Sequence, residues 1–297
     1  MYSIGYDIGS SSIKGSIVNL ETGDIVRSAK YPEQEMAINS PHPGWAEQHP
    51  ETWWAAVKKV TSRILDGFKG DKKDIKYIGI AYQMHGLVTV DKNGNVVRPA
   101  IIWCDSRAIA AGGEIEKVMS TEFCLENYLN APGNFTLAKL KWVKENEPEN
   151  YDKIYKIMLP GDYIAMKLTG NMVTTESGLS EGIFWNFKTG NLAKEMLTKT
   201  GIRTDLIPTV VDTFSDQGTV LKNFAEEFGL ADDVKIAYRA GDQPNNAFSL
   251  SVLKPGEVAT TAGTSGVVYG VSDSITYDPK SRVNTFAHVN HKSEDPR

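Results

Sequence analysis

The chain opens on period-two patterning. Apolar and polar positions alternate from Tyr2 to Ile8, from Ile13 to Leu20 and from Ile25 to Tyr31, with Glu21-Thr22-Gly23-Asp24 as a turn before the third segment. This predicts three strands of an antiparallel meander. From Pro50 the period changes: Trp53, Trp54, Val57, Val60, Ile64, Leu65 and Phe68 recur at helical spacing, and Gly67 and Gly70 stand near the end. Proline suits the first turn of such a helix. Lys76 to Tyr82 reads again as strand; Leu87 to Asp91 is predicted to pair with Val96-Val97 across Lys92-Asn93-Gly94-Asn95, and Ala100 to Trp103 is a further apolar run. Helical patterns follow at Ile109 to Val118, Leu137 to Glu145, Asp162 to Leu168 and Leu192 to Thr200, divided by Gly, Pro and Asn turns. A strand at Val234 to Tyr238 leads through Gly241-Asp242 into a helix expected to reach Leu253. After Lys254-Pro255-Gly256, Glu257 to Thr261 and Val267 to Val271 form a second hairpin around Ala262-Gly263-Thr264-Ser265-Gly266. Strands and helices alternate, so the fold class is α/β.

Composition narrows the field. With 297 residues, 41% of them hydrophobic, the chain holds enough apolar material for a large core, which excludes intrinsic disorder. No apolar run approaches the ~20 residues of a membrane span. The start MYSIGYDIGSSSIK lacks the basic segment and apolar stretch of a secretory signal, so a cytoplasmic protein with no membrane partner is expected. Thirty-two Lys and Arg face 37 Asp and Glu, net −5, with no basic tract; nucleic acid is not an expected partner. Cys104 and Cys124 are too far apart for a CxxC pair, and the Asn134-Phe135-Thr136 glycosylation triplet is set aside for want of a signal. His288-Val289-Asn290-His291 has no third metal ligand nearby and reads as surface.

Five segments carry candidate chemistry. Asp7-Ile8-Gly9-Ser10-Ser11-Ser12-Ile13-Lys14 places a carboxylate at a strand end, then a small-residue turn rich in hydroxyls and backbone N–H, then a lysine. Such a turn can cradle phosphates, although it is not a Walker loop, because the chain continues from it as strand where that loop needs a helix. The alternative is a plain hairpin turn. Gly263-Thr264-Ser265-Gly266 repeats the same chemistry in the second hairpin. Gln83-Met84-His85-Gly86 ends a strand, where open α/β sheets place ligand contacts; the alternative is a structural histidine. Trp103-Cys104-Asp105-Ser106-Arg107 offers a stacking face, a carboxylate and a guanidinium to a sugar, or else a core tryptophan beside a surface ion pair. Asp242, before Gln243, stands at a strand-to-helix junction. Here a carboxylate can take the proton of an attacking hydroxyl, or simply cap the helix.

In order, these segments resemble the FGGY family of carbohydrate kinases, most closely its xylulose-phosphorylating members. The resemblance spans the chain and also draws on His42-Pro43-Gly44-Trp45-Ala46-Glu47-Gln48, Leu159-Pro160-x-Asp162-Tyr163 and Thr136-x-x-Lys139-Leu140-x-Trp142, with Asn134 a minor departure. Gly241-Asp242-Gln243 is nearer the glycerol-kinase pattern, whereas Met84-His85 argues against glycerol. The resemblance implies an actin-like ATPase architecture with five-stranded mixed sheets. Residues 1–254 would form the sugar-binding lobe and 255–297 the start of an incomplete ATP-binding lobe, so a truncated form with little turnover is expected. It implies Asp242 as general base, and Met84, His85, Trp103, Asp105 and Gln243 as further sugar contacts. Asp7, Gly9, Ser10, Ser11, Ser12 and Lys14 would neighbour the phosphates, Asp7 would stand near Mg²⁺, and Gly263, Thr264 and Ser265 would form the opposing loop. The implied reaction is phosphorylation of D-xylulose by ATP. L-ribulose, glycerol or gluconate kinases, and a non-catalytic sugar-binding module, are the alternatives. A homodimer is a further expectation, because hairpin edges without partners invite pairing.

Overall fold

A computed structural model describes residues 1–262 and 266–292. The predicted meander is present as Tyr2–Ile8, Ile13–Asn19 and Ile25–Tyr31, paired antiparallel in sequence order. Alternation places Ile4, Tyr6, Ile8, Ile13 and Ile17 in the core. Ile25–Tyr31, with no fully buried residue, forms the sheet edge.

On the other side of Tyr2–Ile8 the pattern changes to parallel. Ile75–Tyr82 pairs parallel to it, and Lys235–Gly241 pairs parallel to Ile75–Tyr82, completing a mixed five-stranded sheet. Parallel neighbours need covered crossovers, and helices supply them. Pro50–Leu65 buries Trp53, Val57, Val60 and Ile64, and Pro160–Thr169 buries Tyr163, Ile164 and Leu168; both helices join the core formed by the sheet's apolar residues. Gly161 lets Pro160–Thr169 approach closely, since a Cβ there would lie 2.1 Å from the Tyr82 ring. A second apolar cluster, built on Ile109–Met119, Thr121–Tyr128 and Thr136–Asn146, makes a helical layer beside the sheet.

Several expectations shift. The 87–97 hairpin is reduced to a Val90–Val96 bridge, and the buried strand Val88–Val90 makes its ladder with Lys156–Met158 instead. The apolar run at Ala100 is strand only over Ala100–Ile101, because Trp103 turns out to solvent. The helix after Gly241 ends at Ser249, four residues before Leu253, and the one predicted from Leu192 is confined to Lys194–Lys199. Short helices at Thr121–Tyr128, Pro148–Lys153, Glu176–Glu181 and Lys222–Phe228, of six to eight residues each, are too short to repeat an apolar face more than about once. His288 is buried, not on the surface: its ring bonds the Val252 carbonyl and the Tyr269 hydroxyl. The second hairpin, Val258–Ala262 with Gly266–Gly270, packs through Ala259 on Ala247 of helix Asp242–Ser249.

The close approach at Gly161 is testable. Gly161→Ala should destabilise the protein by ~1–3 kcal/mol through overpacking. Gly5→Ala, where the added methyl meets nothing within 4 Å, is the control. Equal urea midpoints for the two variants would rule out the steric reading.

Candidate functional site

Three adjacent parallel strands have their carboxyl ends at one edge of the sheet, which is where open α/β sheets bind ligands. Tyr2–Ile8 delivers Asp7 and the 9–12 turn, Ile75–Tyr82 delivers Gln83, Met84 and His85, and Lys235–Gly241 delivers Asp242. The topology thus brings together residues that the sequence keeps far apart.

At the first strand end Lys14 Nζ pairs with Asp7 Oδ2 at 2.9 Å, because the hairpin register sets the two residues opposite each other. The pair is largely exposed and contributes little to stability. Ser10 ties this turn to its neighbours: its carbonyl accepts from Gln48 Nε2 at 2.7 Å, and its hydroxyl from Trp103 Nε1 at 3.2 Å. Ser11 accepts from the Met36 amide. Gly9 and Ser12 complete the turn, whereas Gly263, Thr264 and Ser265 lie outside the described residues.

At the second strand end His85 has a left-handed backbone, φ 60°. Its Nδ1 lies 3.0 Å from the Glu181 carbonyl oxygen. A carbonyl only accepts, so Nδ1 carries the proton and the unprotonated Nε2 is left as an acceptor. Burial, aided by the charge of Lys139, pushes the imidazole down to about 4, so it is neutral at physiological pH. Fully buried Lys139 donates to the His85 carbonyl at 2.7 Å and to that of Ile102 at 3.0 Å, joining the two loops that carry His85 and Trp103. Burial brings this ammonium down to about 8. Gln83, buried beside His85, has no hydrogen-bond partner for either amide atom among the described residues.

At the third strand end Asp242 is the first residue of its helix. Burial, followed by the charge of Asp7, raises its carboxyl to about 6. Gly241 before it is constrained sterically: a Cβ would lie 2.6 Å from Met84 Cγ and 2.7 Å from Glu181 Oε2. Glu181 was not anticipated from the sequence, in which a lone glutamate near a Gly-rich turn carries no distinguishing pattern.

The 103–107 segment reverses the alternative considered for it. Trp103 is 55% exposed, and the ion pair is buried. Asp105 Oδ2 accepts from Arg107 Nη2 at 2.7 Å and from the Ala46 amide at 2.6 Å, while Oδ1 accepts from the Arg107 amide and Nε. Arg107 also reaches Glu47 and lies 3.8 Å above the Trp45 ring. With both oxygens occupied inside the protein, Asp105 braces its loop, and the exposed ring of Trp103, tied to Ser10 through Nε1, is the part of this segment left to meet a ligand.

Two cavities meet at His85. One, of about 480 Å³, is lined by Met84, His85, Gln243 and Tyr269; the other, of about 330 Å³, by His85, Trp103, Asn130, Asn134 and Phe135. Residues 283–286 and His288 wall the first, and this segment is pinned by Asn130 with Thr285 and by Ser180 with Ala287. Among the described residues no cluster of three or more His, Cys, Asp or Glu is arranged to hold a metal, and no helix is long and apolar enough to cross a membrane.

Residues 2–249 match the FGGY family of carbohydrate kinases, N-terminal domain. The chain belongs to this family. It is 32% identical over 290 residues to a xylulose kinase of Staphylococcus xylosus, covering 97% of this chain and 58% of that protein. A xylulose kinase of Escherichia coli is 30% identical, with 96% and 57% covered. Among solved structures a xyloylose kinase from Brucella ovis superposes with a TM-score of 0.90 at 29% identity, covering 97% of this chain and 58% of that one. The sheet and its helices are therefore those of an actin-like ATPase lobe. This FGGY chain spans somewhat over half the length of the curated relatives it matches.

The depressed His85 pKa has a signed consequence. Between pH 6.5 and about 4 the unfolded chain binds a proton that the folded protein refuses, so stability falls with falling pH by up to ~3 kcal/mol and then levels. Denaturation at stepped pH should show this loss, and His85→Gln should remove that portion of it. An imidazole NMR titration near 6.5 for His85 would contradict the assignment.

Proposed function

We propose that this chain supplies the acceptor side of an ATP-dependent sugar kinase whose substrate is D-xylulose and whose product is D-xylulose 5-phosphate. The observation that carries the reading is the convergence of a raised carboxyl, Asp242, and a neutral imidazole, His85, at the carboxyl ends of neighbouring parallel strands. A general base acts best when its pKa lies near the working pH, and about 6 meets that condition.

In this reading one sugar hydroxyl lies beside Asp242. Asp242 takes its proton as the oxygen forms a bond to the transferred phosphorus, and the bond from that phosphorus to the departing ADP oxygen breaks. His85 Nε2 accepts a hydrogen bond from another hydroxyl, Gln243 and Met84 complete the enclosure, and the Trp103 ring offers a stacking face. Asp7, Lys14 and the small-residue turn at Gly9, Ser10, Ser11 and Ser12 face the phosphates. Asp7 would hold Mg²⁺, whose charge would offset the repulsion that Asp7 exerts on Asp242. Mg²⁺ and ATP, when bound, supply the phosphoryl group and offset the charge that develops on it.

Residues 1–254 are assigned to the acceptor lobe and 255–297 to the start of the nucleotide-side lobe. The N-terminal-domain match ends at residue 249, just before the Lys254-Pro255-Gly256 break, and supports that division.

Ligand-observed NMR of the chain with D-xylulose, L-ribulose, glycerol and gluconate tests the substrate. Selective D-xylulose binding that fades in Asp242→Ala is expected. Binding of another sugar instead would keep the kinase reading and replace the substrate, and silence from all four would count against both. In a catalytically active form, Asp242→Asn should lower turnover by at least ~10²-fold. The rate should fall as pH drops through about 6, where Asp242 takes up a proton and can no longer accept one.

A further inference from the structure

Glu181 closes the short helix Glu176–Glu181, is only 2% exposed, and has no aligned hydrogen-bond partner for either carboxyl oxygen among the described residues. An unpartnered buried carboxyl is costly, and it persists only where its surroundings hold it. Glu181 touches the candidate site at two points. Its carbonyl oxygen receives the Nδ1 proton of His85, 96 residues away in sequence. Its Oε2 occupies the space that a side chain at position 241 would fill, beside Met84 and directly under the turn into Asp242.

We propose that Glu181 is a positioning residue of the acceptor site, fixing the His85 ring through its main chain and the Met84–Gly241–Asp242 corner through its carboxyl. The proposal rests on the reading of that site as the sugar site. It explains why His85 presents Nε2 rather than Nδ1, and why a Cβ at position 241 would meet both the carboxyl and Met84 at under 3 Å: the carboxyl is a wedge at this corner.

The charge environment agrees with a wedge that carries its proton. Burial, then the charges of Asp242 and Asp162, raises Glu181 well above the ordinary carboxyl range. Around it stand Tyr82, whose phenol lies within reach without a well-aligned bond, and Asp162, which is paired with Arg239 at 2.9 Å; Lys139 is the nearby cation from the helical layer. A protonated acid can lie beside Asp242 without repelling it, and an ionised one cannot. Because the folded state holds this proton more tightly than the unfolded chain, the stability linked to it is fully present below about pH 4.5. It is lost as pH rises towards the folded pKa.

Glu181→Ala and Glu181→Gln, made in this chain, separate the possibilities. Emptying the wedge with alanine should shift the backbone amide ¹⁵N signals of Gly241 and Asp242 and weaken D-xylulose binding about ten-fold or more, while the His85 ring keeps its bond to the main-chain carbonyl at 181. Glutamine, isosteric and unable to ionise, should restore those amide signals, and its melting temperature relative to the unaltered chain should climb as pH rises above about 4.5. Unchanged Gly241 and Asp242 amide signals in the alanine variant would overturn the proposal. Should that variant not fold, a glutamine variant whose stability parallels the unaltered chain at every pH overturns it instead. If the unaltered chain binds no sugar, the substrate assignment fails, while the Gly241 and Asp242 amide signals and the pH profile still decide the role of Glu181.

Discussion

Parallel hydrogen bonding among Tyr2–Ile8, Ile75–Tyr82 and Lys235–Gly241 is the constraint on which the rest depends. An antiparallel neighbour would send its carboxyl end to the opposite edge of the sheet, as Ile13–Asn19 does. Because these three run the same way, an aspartate, a histidine and a second aspartate reach one edge without any loop having to travel. The helices that make the parallel crossovers possible also form the apolar core, so the force that folds the sheet is the force that assembles the site.

Around that edge, burial selects charge states. His85 is driven neutral, Glu181 is driven to keep its proton, and Asp242 is moved towards neutrality. Each shift arises from removing water around a group with few opposite charges close by. The buried arginines, by contrast, are paired. Arg107 joins Asp105 and Glu47, Arg98 joins Glu47 and Glu147, and Arg239 joins Asp162, all with buried guanidinium groups. Such pairs add little net stability against an apolar core, but losing one partner leaves a buried charge, so they hold loop geometry stringently. The Asp105–Arg107 pair braces the loop that displays Trp103 in this way.

Much of the fold was legible locally. Period two located the meander to within a residue, period 3.6 located the Trp53-Trp54 helix, and Pro50 marked its start, because those patterns report which face of an element is buried. Short elements escaped: Glu176–Glu181 is under two turns long, and Lys156–Met158 is a strand only because Val88–Val90 lies beside it. Asp7, His85, Trp103 and Asp242 could be picked out as candidates, because polar residues following apolar runs stand where strands end. Asp105 could be picked out too, yet its carboxylate is consumed by Arg107 and the Ala46 amide.

What the sequence determined by itself was the order of elements, the apolar faces, the chemical kinds of residue at the strand ends and the family they belong to. Tertiary structure alone decided which strands are neighbours, which carboxyls keep their protons and which nitrogen of His85 faces outward. The physical reason is range. Periodicity and turn chemistry act over a few residues, whereas burial, charge coupling and the bond from His85 to the Glu181 carbonyl act between segments that become close only when the sheet closes.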